Sequence, residues 1–177
     1  MIATEQNIRI SGIVNDSIVD GPGLRMAIFF QGCGRHCEGC HNPESWPLER
    51  GKEIQEEALY TSATKNPLLK GVTLSGGEPL LRAGAILRFA KSINARGLDL
   101  AIYTGYTFEE ILEDGDENVL ALLGWASTLI DGPFMLDKMS LVLPFRGSSN
   151  QRVLDLPKSL AASKAVATTD PAWRYDP

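Results

Sequence analysis

The stretch Cys33 to Cys40, CGRHCEGC, holds all three cysteines of the chain, spaced C-x3-C-x2-C. Thiolates are soft ligands, and one turn of chain brings three of them within reach of metal, which suits iron–sulfur clusters or zinc. A closed structural site takes four ligands, whereas a reactive one keeps a position open. With no fourth cysteine in the sequence, the count favours a reactive metal centre with one position left to a non-protein ligand. An odd number of thiols in one loop is also a poor disulfide framework, and it indicates a reducing compartment, the cytoplasm.

Upstream of the loop, Met26 to Phe30 (MAIFF) is a continuous apolar run of the length of a strand buried on both faces. The Gly-Pro-Gly of DGPGLR, Asp20 to Arg25, marks a tight turn before it, and Asn7 to Val14 alternates like a short strand. Downstream, Glu53 to Thr64 is rich in helix formers and ends at Asn66-Pro67. Val72 to Leu74 then reads as a strand running into SGGEP, Ser75 to Pro79. Arg82 to Ala95 is an amphipathic helix, and Leu98 to Tyr103 a third parallel strand. Thr107 and Glu110 form a capping-box pattern for the next helix, continued by Asn118 to Leu123. Leu129-Ile130 leads into DGPF, Asp131 to Phe134, and Leu141 to Leu143 is a candidate last strand.

Strand and helix in alternation specify a parallel sheet with helical crossovers, and such sheets place ligands at the C-terminal ends of their strands. The cysteines, SGGEP, YTG and DGPF all fall at such ends. At 177 residues the chain is short of the ~250 of a closed eight-stranded barrel. The predicted fold is therefore α/β, an incomplete TIM-like β/α barrel built on a parallel sheet, in one domain over residues 1–156. The tail, 157–177, is Ala-, Ser-, Thr- and Pro-rich and is expected to be loosely packed or disordered.

The net charge of −5 argues against nucleic acid or an anionic membrane as partner. No apolar run approaches the ~20 residues needed to span a bilayer, and MIATEQNIRI carries no secretory signal pattern.

CGRHCEGC resembles the CxxxCxxC loop of radical S-adenosylmethionine (SAM) enzymes, and SGGEP is similar to their glycine-rich strand. DGPGLR before the loop and CHNPESW from its last cysteine onward narrow the resemblance to glycyl-radical-enzyme activases. Gly39 before the last cysteine, YTGY, LIDGPF and RGSSNQR, in that order, resemble the branch that activates anaerobic ribonucleoside-triphosphate reductase. The resemblance covers Val14 to Leu156.

It implies a radical SAM type of fold and a 4Fe–4S cluster held by Cys33, Cys37 and Cys40, with the fourth iron open to SAM. It implies SAM contacts from Gly39, Cys40, His41 (through its backbone), Gly76, Gly77 and Glu78, and from Asp131 unless that residue only shapes its Asp-Gly-Pro turn. No catalytic residue is expected beyond the cluster and SAM. Reductive cleavage of SAM would give a 5′-deoxyadenosyl radical that takes a hydrogen atom from a backbone glycine of the reductase large subunit. A flavodoxin or ferredoxin-type protein would supply the electron.

Arg25 and Arg35, basic in an acidic chain, are candidates for docking that donor, and RGSSNQR for docking the reductase. His36 is read as a loop side chain with no ligand role. The alternatives are an activase of another glycyl-radical enzyme, of the pyruvate formate-lyase type, and a non-catalytic zinc-binding interaction module.

Overall fold

A computed structural model describes residues 7–174. The first residues of the stretch read for a secretory signal, and the last three of the tail, lie outside the described residues. The alternating N-terminal segment forms β1 (Arg9–Ser17). The Gly-Pro-Gly turn then reverses the chain into β2 (Arg25–Phe30), antiparallel to β1. After the cysteine loop, β3 (Lys52–Glu53) pairs antiparallel on the outer edge of β1.

Three crossovers follow. α1 (Glu56–Lys65) leads to β4 (Gly71–Gly76), parallel to β2. α2 (Ala83–Ala95) leads to β5 (Asp99–Tyr103), parallel to β4. α3 (Phe108–Asp114) and α4 (Glu117–Leu123) lead to β6 (Thr128–Asp131), parallel to β5. β7 (Arg152–Asp155) then closes the sheet antiparallel to β6, and α5 (Leu156–Ala162) follows directly. The order is β3-β1-β2-β4-β5-β6-β7.

The fold is thus a partial β/α barrel with four parallel strands at its centre and antiparallel strands on both flanks. The flanks were not foreseen. The short turn between β1 and β2 permits only antiparallel pairing, since parallel neighbours need a crossover of a dozen or more residues.

Alternation along the strands sorts the core into two faces. Val72, Leu74, Leu100 and Ile102 pack with Ile86, Phe89 and Ile93 of α2 in the larger cluster. Ala101, Ile130 and Val153 belong to a smaller one on the other face, completed by Trp173, Tyr103 and Phe145. Helix α3 begins as its sequence predicts: the Thr107 side chain accepts from the Glu110 amide, and the Glu110 carboxylate accepts from the Thr107 amide.

Two expectations are corrected. Leu141 to Leu143 is not a strand; Leu141 is 89% exposed and Val142 84%. The triplet is apolar but has no sheet edge to pair with, because the place beside β6 is taken by β7. The tail is not loose within the described residues. Thr168 N–H donates to Val153 O and Asp155 N–H to Val166 O along the outer edge of β7. Trp173 is buried, its ring edge-on to Phe145 at 5.4 Å between centroids. A composition of small residues hid one large aromatic anchor.

Candidate metal centre and its cavity

β2 delivers the chain into the cysteine loop, and CHNPESW fastens the loop at its base. Gly32 N–H donates to Ser45 O at 2.7 Å and Cys33 N–H to Trp46 O at 3.1 Å. Cys33, Cys37 and Cys40 are free, partly exposed thiols, and all three line one cavity of about 610 Å3. Burial pushes the Cys33 thiol up, while the amides of Arg35 and His36 pull it part of the way back. Among the described residues no three His, Cys, Asp or Glu side chains gather as ligands of one ion.

The C-terminal end of β4 forms the next wall. Gly76 has φ +93°, and a Cβ there would meet Phe30 N at 2.6 Å. A Cβ on Gly77 would strike the Gly32 carbonyl. Gly77 N–H donates to Phe30 O at 2.9 Å and Glu78 N–H to Gly32 O at 2.8 Å. The missing side chains therefore let β4 lie against the root of the cysteine loop, and the backbone of both glycines faces the cavity. From sequence their smallness reads as room for a ligand; the structure shows that strand and loop need it first.

Glu78 is only 1% exposed, and its carboxylate is fully engaged. It accepts from Thr104 Oγ1 at 2.9 and 3.0 Å, from Gly105 N at 2.9 Å and from Leu80 N at 3.1 Å. Burial pushes its pKa up to about 7, with the Gly105 and Leu80 amides opposing. The structure thus places Glu78 behind the cavity wall, bracing the Thr104-Gly105 turn that does line it.

Asp131 is likewise buried, accepting from Phe108 N at 2.8 Å and paired with Arg152, which also reaches Glu109 at 2.6 Å. Its carboxylate anchors the start of α3. Gly39 turns with φ +72° toward Leu136. His41 lines the cavity, its ring 5.0 Å from Phe134. The His36 ring lies tilted against Trp46, 4.8 Å between centroids.

Three docking expectations change. Arg25 is 1% exposed, ion-paired to Asp99 at 2.8 Å and bonded to Thr73 Oγ1, so it meets no partner. Arg35 is held by Glu110 and lies over Tyr106. RGSSNQR is spent on itself and its neighbours: Ser148 Oγ accepts from Met135 N, Asn150 Nδ2 donates to Pro133 O, and Gln151 bonds Gly147, Ser148 and Gly132. Ser, Asn and Gln side chains commonly bond local backbone in this way. Thr104 and Gly105 line the cavity, as the place of YTG at a ligand-bearing strand end implies, although sequence reasoning named neither as a site residue.

Residues 19–154 match the family described as the 4Fe-4S single cluster domain. The chain is 32% identical over 142 residues to the anaerobic ribonucleoside-triphosphate reductase-activating protein of Vibrio cholerae, covering 76% of this chain and 89% of that one. Against the Escherichia coli protein of the same name it is 34% identical over 144 residues, covering 77% and 91%.

The chain belongs to the radical SAM activase family. A pyruvate formate-lyase-activating enzyme of Clostridium pasteurianum is 41% identical over 117 residues, 61% of this activase and about half of that longer enzyme (49%). Escherichia coli QueE superposes with a TM-score of 0.45 at 18% identity, over 56% of this chain and 53% of that one. The activase is an enzyme with a 4Fe–4S cluster and SAM as cofactors. Its donor set fits them, with three thiols on one wall of the cavity and close-packed glycine backbone on the next. Among the described residues no helix is long and apolar enough to cross a membrane.

Proposed function

We propose that this activase removes a hydrogen atom from a backbone glycine of the large subunit of anaerobic ribonucleoside-triphosphate reductase and leaves a glycyl radical there. Cys33, Cys37 and Cys40 would hold the cluster, leaving it a position open to SAM. When bound, the cluster supplies the electron that cleaves SAM, and the protein supplies orientation and shielding.

The backbone of Gly39 to His41 and of Gly76-Gly77 flanks the SAM methionine end. Glu78 and Asp131 act one step behind it, by fixing the strand-end turns. A flavodoxin or ferredoxin-type donor delivers the electron in a reducing cytoplasm. The single observation that carries this reading is that all three thiols, the Gly76-Gly77 backbone and the Thr104-Gly105 turn border one cavity.

A second reading, an activase of the pyruvate formate-lyase type, draws on the 41% identity to the Clostridium enzyme. The two are separated by mixing the reconstituted activase, SAM and a reductant with each partner and recording electron paramagnetic resonance spectra. A glycyl-radical signal in the reductase alone is expected. A signal only in pyruvate formate-lyase replaces the first reading with the second.

A further inference from the structure

Exposed apolar side chains scattered singly over a surface need no explanation. Here they gather in two segments at one place. Ile18 and Val19, 73% and 74% exposed, follow directly on β1. Leu141 and Val142 are the most exposed of the second segment, with Met139 half-exposed beside them. Val19 and Leu141 line the same cavity as the three thiols, so the two segments form apolar lips at its mouth.

Neither lip is a loose end. The second is a hairpin: Met139 bridges Ser148 antiparallel, Ser140 N–H donates to Gly147 O at 3.0 Å, and Ser149 N–H donates to Lys138 O at 2.9 Å. It starts beside the cysteine loop, where a Cβ on Gly39 would meet Leu136 at 2.8 Å. Phe145 returns the chain at φ +56°, fixed by Tyr103 Oη, which donates to Phe145 O at 2.9 Å. In the first lip, Val19 N–H donates to Ser17 Oγ at 3.2 Å, and Asp20 O accepts from Thr73 Oγ1 of β4 at 2.7 Å. Trp173 packs against both lips. Its ring is 5.4 Å from that of Phe145, and a Cβ on Gly21 would come within 3.0 Å of it. The lips are therefore held at a set spacing.

Clustered apolar surface marks a docking site, and the reaction of the cavity names what docks. The hydrogen atom comes from a backbone glycine, so a polypeptide has to cross this mouth with its glycine over the cavity. We propose that the two lips cradle the glycine-bearing segment of the glycyl-radical enzyme by its apolar side chains on either side of the glycine. In an extended segment the residues two places before and after the glycine face the cavity with it, about 6.6 Å away along the chain. Those are the side chains that reach the lips. The proposal rests on the function proposed above, and it adds which surface of the activase meets the partner.

The test is the affinity of the reconstituted activase, with SAM present, for whichever of the two enzymes the wild type activates. The same titration is repeated with a short synthetic peptide spanning that enzyme's radical glycine. Ile18→Ser and Val142→Ser, one on each lip, should each weaken both complexes about fivefold, with thermal unfolding unchanged. Should Ile18→Ser not fold, the nearly isosteric Val19→Thr takes its place.

A loss from one lip only overturns the cradle. A loss toward the whole enzyme but not toward the peptide means that the lips meet another part of the partner, and overturns the assignment of the occupant. A wild-type dimer that either substitution splits into monomers assigns the surface to a second copy instead. Wild-type affinity in both variants, beside a wild type that activates its partner, overturns the lips only. A wild type that raises a glycyl radical in neither enzyme overturns the function reading and the lips with it.

Discussion

The cysteine loop and the strand-end turns facing it share a cavity but are built on opposite plans. In the loop the thiols are largely uncommitted: none is in a disulfide, Cys40 accepts one bond from Asn42 N at 3.4 Å, and few backbone bonds and two side-chain anchors hold the chain. In the turns the polar side chains are consumed. Glu78 accepts from Thr104, Gly105 and Leu80, and Asp131 from Phe108 and Arg152. The loop keeps ligands available for metal, and the turns hold a rigid wall that offers backbone. The buried carboxylates of this site are braces, and the three sulfurs border the open cavity.

If that contrast holds, the turns fail in stability and the loop fails in chemistry. The largest stability effect should come from Arg152→Ala, which leaves Asp131 buried without its counter-charge. A loss of about 4 kcal/mol is expected in denaturant unfolding of the apo-protein, and a loss under 1 kcal/mol would mean that Asp131 is not a brace. Trp173→Ala should follow at about 3 kcal/mol, through the cavity left beneath Phe145. An unaffected protein would return the tail to the status of an appendage.

Glu78 gives a pH signature. Its folded pKa of about 7 lies above the ordinary carboxylate value of 4.5, so the native state binds the proton more tightly than the unfolded chain. Stability from this group is full below pH 4.5 and is lost as pH rises through 7, by about 2 kcal/mol between pH 5 and 8. Glu78→Gln should flatten that part of the profile in thermal unfolding. A Glu78→Gln profile as steep as wild type would assign the slope to other groups. The smallest effect belongs to Leu141→Ser with Val142→Ser, two exposed side chains whose replacement should move stability by no more than ~0.5 kcal/mol.

The parallel core was legible because MAIFF, Val72 to Leu74, Leu98 to Tyr103 and Leu129-Ile130 are apolar runs bounded by turn residues, and because α2 has a clear helical period. Strand direction was not, since alternation in β1 reads the same whichever way its partner runs. Leu141 to Leu143 looks like a strand from apolarity alone, whereas the true last strand, Arg152–Asp155, carries a charge at each end and so gives no such signal. That the three thiols meet at one cavity followed from their spacing. The roles of Glu78 and Asp131 did not, because sequence places a carboxylate at a strand end without saying whether it points into the cavity or behind it.

The central claim is that these three thiols hold a SAM-cleaving cluster, and one measurement addresses it directly. The protein is reconstituted anaerobically with iron and sulfide, reduced with dithionite in the presence of SAM, and assayed for 5′-deoxyadenosine. The account predicts 5′-deoxyadenosine from the wild-type protein and none from Cys37→Ala. A folded wild-type protein that holds zinc, takes up no iron and leaves SAM intact would contradict it.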